Sequence, residues 1–232
     1  MLVVNQRSKL VKLFRLIRIV WYSWWFNFHY LPFRQAMKLP IFLWKPELIE
    51  CKGKIVLEGD IYPGKIQLGF RRVSIYKDNG YVWENHGGTV IFKGTAIIGG
   101  GGALSVGVDS VIELGNDMLN NYGLKLVSYF GVRTAAHTRF GWNTLIMDTN
   151  FHKLYDRETH EAFSVGGAIE IGAYNWFGTD CRIMHSVKTP DRCIFGLGTI
   201  VTRSVPMESY SITGGQPPRI LRRNVERDFS EG

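Results

Sequence analysis

From residue 171 to residue 206 the chain repeats every six positions. Ile171, Phe177, Ile183, Thr189, Phe195 and Val201 hold the first place of successive hexads, while Asn175, Cys181, Val187, Cys193, Thr199 and Val205, nearly all small, hold the fifth. Six fits neither an amphipathic helix nor a simple alternating strand, but it suits a short strand and a turn repeated around a coil. Three such sides close a triangular prism, with the large first-position side chains stacked inside and glycine at corners that need positive φ. The stretch GGTVIFKGTAIIGGGGALSVGVDSVIELGND reads as the same β-coil in a looser phase. Leu114 and Phe140 are 26 residues apart, which is not a multiple of six, so a bulge or loop must intervene. The run Gly99 to Gly102 lacks a following GK[ST] and reads as corner glycines, not a phosphate loop.

Ahead of this β region the period changes. Leu10, Leu13, Phe14, Ile17, Trp21, Trp24 and Trp25 follow i, i+3, i+4, i+7 spacing and predict an amphipathic helix from about Ser8 to Phe26. Its apolar runs fall well short of the roughly 20 residues that a membrane span needs. The expected organisation is a basic aromatic segment over 1–48, a β-helix over 49–206 with a loop excursion near 148–168, and a tail over 207–232.

Charge alters the picture only once it is located. The formal excess is +8. Arg7, Lys9, Lys12, Arg15, Arg18, Arg34, Lys38 and Lys45 lie in residues 1–45, which hold no acid, so the rest of the chain is balanced. An aromatic face with interleaved Lys and Arg suits the surface of an anionic membrane; packing on the β body or on another subunit explains the same pattern. No basic stripe or nucleic-acid module appears elsewhere, so nucleic acid is not an expected partner. Three cysteines without CxxC spacing and the lack of a cleavable secretory signal point to the cytoplasm, with peripheral contact to the inner face of the membrane through residues 8–26.

The hexads resemble those of the hexapeptide-repeat acyltransferases, in the polysaccharide and sugar O-acetyltransferase branch. The resemblance rests on Ile171-Gly172, Trp176-Phe177-Gly178, Gly196-Leu197-Gly198-Thr199-Ile200-Val201-Thr202 and the closing Gly215-Gln216-Pro217-Pro218-Arg219-Ile220-Leu221. Leu197, Gln216 and the pair Thr189-Pro190 depart from the usual residues. The segment NFHYLPFRQAMKLPIFLW is also similar to the leading segment of polysaccharide-associated members. The resemblance implies a mainly β protein, a left-handed parallel β-helix with an N-terminal amphipathic helix, working as a homotrimer with acetyl-CoA as donor.

In that branch an excursion from the coil opens on an Asp-x-Asp-Phe-His type of motif and rejoins at Ile-x-Ile-Gly. The counterpart here is Asp148-Thr149-Asn150-Phe151-His152, a polar stretch to Glu161, and Ile169-Glu170-Ile171-Gly172. By resemblance His152 is the catalytic base. The chemistry asks for one: a sugar hydroxyl is a poor nucleophile, and histidine titrates near working pH. Asp148 or Asp156 is a candidate to orient the imidazole.

Asn150, Trp176 and His185 are candidates to line the acceptor or donor groove. Gly178, Gly196, Gly198, Thr199 and Gly215 are candidates to meet coenzyme A along the backbone, and Arg219, Arg222 and Arg223 to meet its phosphates. Core packing, a solvated basic tail and solvated loop carboxylates are the plain alternatives. His137 is read as structural or acceptor-contacting, His160 as solvated, and Cys181 and Cys193 as packing residues.

The expected activity is acetyl-CoA-dependent O-acetylation of a sugar or lipid-linked glycan in surface polysaccharide biosynthesis. N-acylation of a nucleotide-linked amino sugar, a non-catalytic scaffold, or a metal enzyme of the γ-carbonic anhydrase kind are the rivals. The last needs three histidines on zinc, and no H-x4-H pair is present, so no metal is expected.

Overall fold

In the computed structural model, which describes residues 19–230, three parallel sheets run side by side along one axis. The first begins at Ile41–Leu43 and, among the described residues, ends with Ser211–Gly214 and an antiparallel last strand, Arg219–Arg223. The second runs from Pro46–Cys51 to Ile200–Val201, and the third from Lys54–Leu57 to Lys188–Thr189. Successive strands pass from the first face to the second, the third and back, and each pairs with its counterpart one coil later. The fold is a left-handed parallel β-helix.

The hexads map onto it directly. Ile171, Phe177, Ile183, Thr189, Phe195 and Val201 are all buried, as are the small fifth-position residues from Asn175 to Val205. Ile171 stands against Thr189, Phe177 against Phe195 and Ile183 against Val201, each 18 residues on. In the earlier coils the step is longer. Ile98 pairs with Asn120 and Leu104 with Leu126 at 22 residues, then Leu114 with Thr134 and Asn120 with Phe140 at 20. The additional residues sit in the corners, which is why the phase of six does not run through. Near-parallel rings of Phe140, Phe177 and Phe195 stack inside at 5.2 and 4.6 Å.

Two expectations about the corners and boundaries are corrected. Positive φ falls on glycines such as Gly101, Gly123 and Gly198, but also on other residues at the corners, among them Asp117, His137, Asn143, Tyr174, Asp180 and Ser186. Gly172 and Gly178 have ordinary φ; they are glycine because the next coil passes too close. A Cβ would come within 2.5 Å of the Pro190 carbonyl oxygen at 172 and 2.8 Å of the Leu197 nitrogen at 178. The β-helix also extends beyond 49–206 at both ends, starting at Ile41 and closing with Ser211–Gly214 parallel to Cys193–Phe195. Those end strands are too short to show a period of their own.

The N-terminal helix is present over residues 19–30 and so continues past Phe26; residues 8–18 lie outside the described residues. Its packed face is Ser23, Phe26, Asn27 and Tyr30, not the tryptophans. Phe26 packs edge-on to Trp83 at 5.0 Å, and Asn27 exchanges hydrogen bonds with Ile41, Nδ2 to the carbonyl at 2.7 Å and Ile41 N–H to Oδ1 at 3.1 Å. Leu43 N–H donates to Ser23 Oγ at 3.0 Å. These side chains satisfy the unpaired edge of the first sheet, which would otherwise invite strand addition. Trp21 and Trp24 face outward, 64% and 46% exposed.

Candidate functional site

The coil breaks between Met147 on the second face and Ile169 on the third, where residues 148–168 leave it. Isolated antiparallel bridges, Thr149 with Gly166 and Tyr155 with Ala162, hold the two arms of this excursion together. At its root Asn150 N–H donates to the Val165 carbonyl at 2.6 Å and Gly167 N–H to that of Asp148 at 2.9 Å. Phe151 has positive φ, its N–H donates to Thr149 Oγ1 at 3.0 Å, and its ring packs on Tyr129 at 5.0 Å. This tight turn presents His152 outward, with its N–H on the Asn150 carbonyl at 2.7 Å. The His152 side chain is exposed and makes no hydrogen bond to another described residue.

Beside it the turn meets the coil. Asn150 Nδ2 lies 3.3 Å from His185 Nε2, and His185 Nδ1 lies 3.2 Å from Ser186 Oγ. Two sequence candidates, Asn150 and His185, thus meet at the corner between the second and third faces, and His152 follows Asn150 by two residues in the turn.

Asp148 does not join them. It is fully buried, and its carboxylate accepts the N–H groups of Tyr129, Phe130 and Gly131 at 2.8, 2.8 and 2.7 Å and the Ser128 hydroxyl at 3.0 Å. Both oxygens are committed to the preceding coil, so its place is at the foot of the excursion and not on the imidazole. Asp156 is likewise occupied: Oδ1 accepts from Glu158 and Thr159 N–H at 2.9 and 2.8 Å, which hold its carboxyl below the usual range. His160 is exposed.

Trp176 belongs to the first face, opposite that corner, exposed with the Arg227 guanidinium 4.8 Å above its ring. His137 is on the same side; its Nδ1 lies 2.9 Å from Asp117 Oδ2 and its ring stacks on Tyr174 at 4.5 Å. A single chain therefore brings Trp176 and His152 to different faces.

The backbone positions expected at coenzyme A are largely spoken for. Gly178, Gly196 and Gly198 N–H donate to the Phe195, Thr213 and Thr179 carbonyls, each at 2.8 Å. Thr199 is buried with its hydroxyl on the Gly196 carbonyl at 2.6 Å. These residues shape a surface without offering free donors. Gly215, with φ of 91°, turns the chain into the last strand. That strand displays Arg219 and Arg222 exposed and outside any ion pair among the described residues, whereas Arg223 is held by Glu208 at 2.8 Å. Burial pushes the thiols of Cys181 and Cys193 up, to about 11 and about 12, which suits packing and not nucleophilic attack.

Sequence reasoning passed over Arg139, buried on the first face against Asp117. Its signal was a single charge inside a short strand, Arg139–Phe140.

No family model matches the chain. It is similar to the galactoside O-acetyltransferase of Escherichia coli (strain K12), 28% identical over 122 residues, 51% of this chain and 57% of that protein. It is also similar to a Staphylococcus aureus (strain COL) protein whose name carries the word acetyltransferase, 29% identical over 89 residues, 38% of this chain and 41% of the other. The matched regions thus span about half of these curated relatives, or less. Among solved structures, the polySia-specific acetyltransferase NeuO superposes with a TM-score of 0.49 at 15% identity, covering 79% of this chain and 72% of that one. The N-acyltransferase AntD of Bacillus cereus, solved as a point mutant with dTDP and coenzyme A, gives 0.41 at 14% identity, covering 88% and 94%.

Proposed function

We propose that this protein transfers an acetyl group from acetyl-CoA to a sugar hydroxyl in the assembly of a surface polysaccharide, with His152 as the general base. The observation that carries this reading is the uncommitted, exposed imidazole of His152, held by a fixed turn where the chain leaves an otherwise regular coil. As the hydroxyl oxygen attacks the thioester carbonyl, the imidazole takes its proton; collapse of the tetrahedral intermediate expels the coenzyme A thiolate, which recovers the proton. Base assistance of this kind is worth roughly 10²- to 10⁴-fold. Arg219 and Arg222, exposed and outside ion pairs among the described residues, are the groups suited to the donor's phosphates.

The separation of His152 and Trp176 onto different sides of one prism supports a site shared between chains. Contacts that join unlike surfaces close into rings, and three is the smallest ring they form, which favours a homotrimer. The outward Trp21 and Trp24, with Phe33 and Met37 exposed nearby and Arg34 and Lys38 among them, support contact with an anionic membrane surface. No described helix is long and apolar enough to cross a membrane.

Release of the coenzyme A thiol from acetyl-CoA, followed with matched hydroxyl and amino sugars, tests the reading. Release that depends on a hydroxyl acceptor supports it. Release with amines alone would move the activity to N-acylation, and no release with either would remove the transferase reading.

A further inference from the structure

Two cavities on the first face, of about 570 and 160 Å³, share Leu119, Asn121 and Arg139 and so form one continuous groove. Its polar lining is strongly cationic. Arg71 and Arg72 line one end and Arg227 the other, and none of the three forms an ion pair among the described residues. Arg72 Nε donates to Asn121 Oδ1 at 3.1 Å, which aims its guanidinium along the groove. The one acid in the lining, Asp117, is already shared between Arg139 Nη2 at 2.6 Å and His137.

Arg139 is the decisive residue. It is only 6% exposed, yet its Nε has no hydrogen-bond partner among the described residues. A buried guanidinium N–H left open costs free energy unless something fills it. Burial first, and the charge of Arg139 after it, lower the pKa of Arg227. The Phe229 ring lies against both guanidinium groups, Arg139 at 5.5 Å and Arg227 at 5.2 Å, and brings no charge to offset them, whereas an anion in the groove would. Next to these charges the groove is lined by two indoles: Trp176 carries the Arg227 guanidinium over its ring, and Trp142 beside it is a wall suited to the apolar face of a sugar ring.

We infer that this groove binds a sugar carrying an oxyanion, a carboxylate or phosphate set among Arg72, Arg139 and Arg227 with the ring against Trp142. Guanidinium forks match both oxyanions in bidentate fashion. That the bound sugar is the acceptor rests on the transfer reaction proposed above; the binding itself does not. A failure of thiol release and a failure of binding are therefore separate results.

The test is equilibrium titration of the full chain, without acetyl-CoA, using glucuronate, glucose, inorganic phosphate and coenzyme A as probes. Glucuronate is expected to bind at least about 10-fold tighter than glucose, and the preference to shrink as salt is raised. Arg72→Gln, at an exposed position, and Arg227→Lys, which keeps the charge and an alkyl stem at a half-buried one, are each expected to weaken glucuronate several-fold, with melting temperature recorded for both. Arg139→Gln should abolish the preference, but its link to Asp117 makes Arg72→Gln, alone and combined with Arg227→Gln, the deciding variant. Equal binding of glucuronate and glucose would overturn the inference, as would full affinity in the Arg72→Gln/Arg227→Gln double variant. Loss of coenzyme A or phosphate binding in that variant, with glucuronate unable to compete, would also overturn it and assign the groove to the donor's phosphates.

Discussion

Replacing Asp148 by alanine separates a structural role from a catalytic one. The substitution strips four donors of their acceptor at once: three backbone N–H groups from 129 to 131 and the Ser128 hydroxyl. Hydrogen bonds to a charged group contribute about 1.5–3 kcal/mol each, and a buried donor left open costs about 1–3 kcal/mol. The four donors belong to one short turn that relaxes as a unit, so the losses do not add fully, and we expect about 4 kcal/mol in total. For a chain of this size that corresponds to a melting temperature lower by about 8–16 °C. Asp148→Asn keeps one carbonyl oxygen and should recover part of the loss. Thermal melting followed by circular dichroism gives the magnitude, and hydrogen exchange gives the location, with the amides of 129–131 losing protection while that of Phe195 keeps it. A variant that melts within about 2 °C of the parent, keeps those three amides protected and yet loses activity would refute this reasoning and return Asp148 to the imidazole.

Four further outcomes are expected. Asn27→Ala opens the edge of the strand Ile41–Leu43 and should cost about 2–4 kcal/mol, measured by denaturant unfolding. Phe177→Ala empties the middle of the stack of Phe140, Phe177 and Phe195 and should cost about 3–5 kcal/mol by the same measurement. Because burial raises the thiols of Cys181 and Cys193, the folded protein keeps protons that the unfolded chain sheds from about pH 8.5. The part of stability these two thiols supply should therefore be whole below that pH and fall as pH rises toward 11; Cys181→Ser/Cys193→Ser should make the decline shallower, leaving the smaller share due to Cys51, Tyr30 and Tyr81. Replacing Trp21 and Trp24 by serine should reduce sedimentation with anionic vesicles without altering the melting temperature, whereas equal sedimentation would assign that face to protein contact.

The period of six was enough to read the prism, because first and fifth positions of every late hexad face inward and must be large and small in turn. It did not reveal the true reason for Gly172 and Gly178, since a close approach between coils is a three-dimensional fact. Nor did it extend to the earlier coils, whose steps of 20 and 22 residues add corner residues of no fixed type. The helix illustrates another limit. Tryptophan spacing pointed to one face, but Phe26 with two small polar side chains, Ser23 and Asn27, is buried on the other, because an exposed sheet edge needs hydrogen-bonding partners more than apolar cover. At the site, the sequence offered Asn150, His152 and His185 as separate candidates, and Asp148 or Asp156 to orient the imidazole, without showing which side chains meet. Proximity in sequence puts Asp148 four residues from His152, while strand alternation turns its side chain back into the coil.

The central claim is that the imidazole at position 152 removes the proton from the attacking hydroxyl. The most direct measurement is kcat/KM for acetyl transfer by His152→Ala against the parent, with melting temperature and coenzyme A affinity recorded for both. A fall of roughly 10²- to 10⁴-fold in rate, with folding and donor binding unchanged, is the expected result. A variant that acetylates at the parental rate would contradict the account.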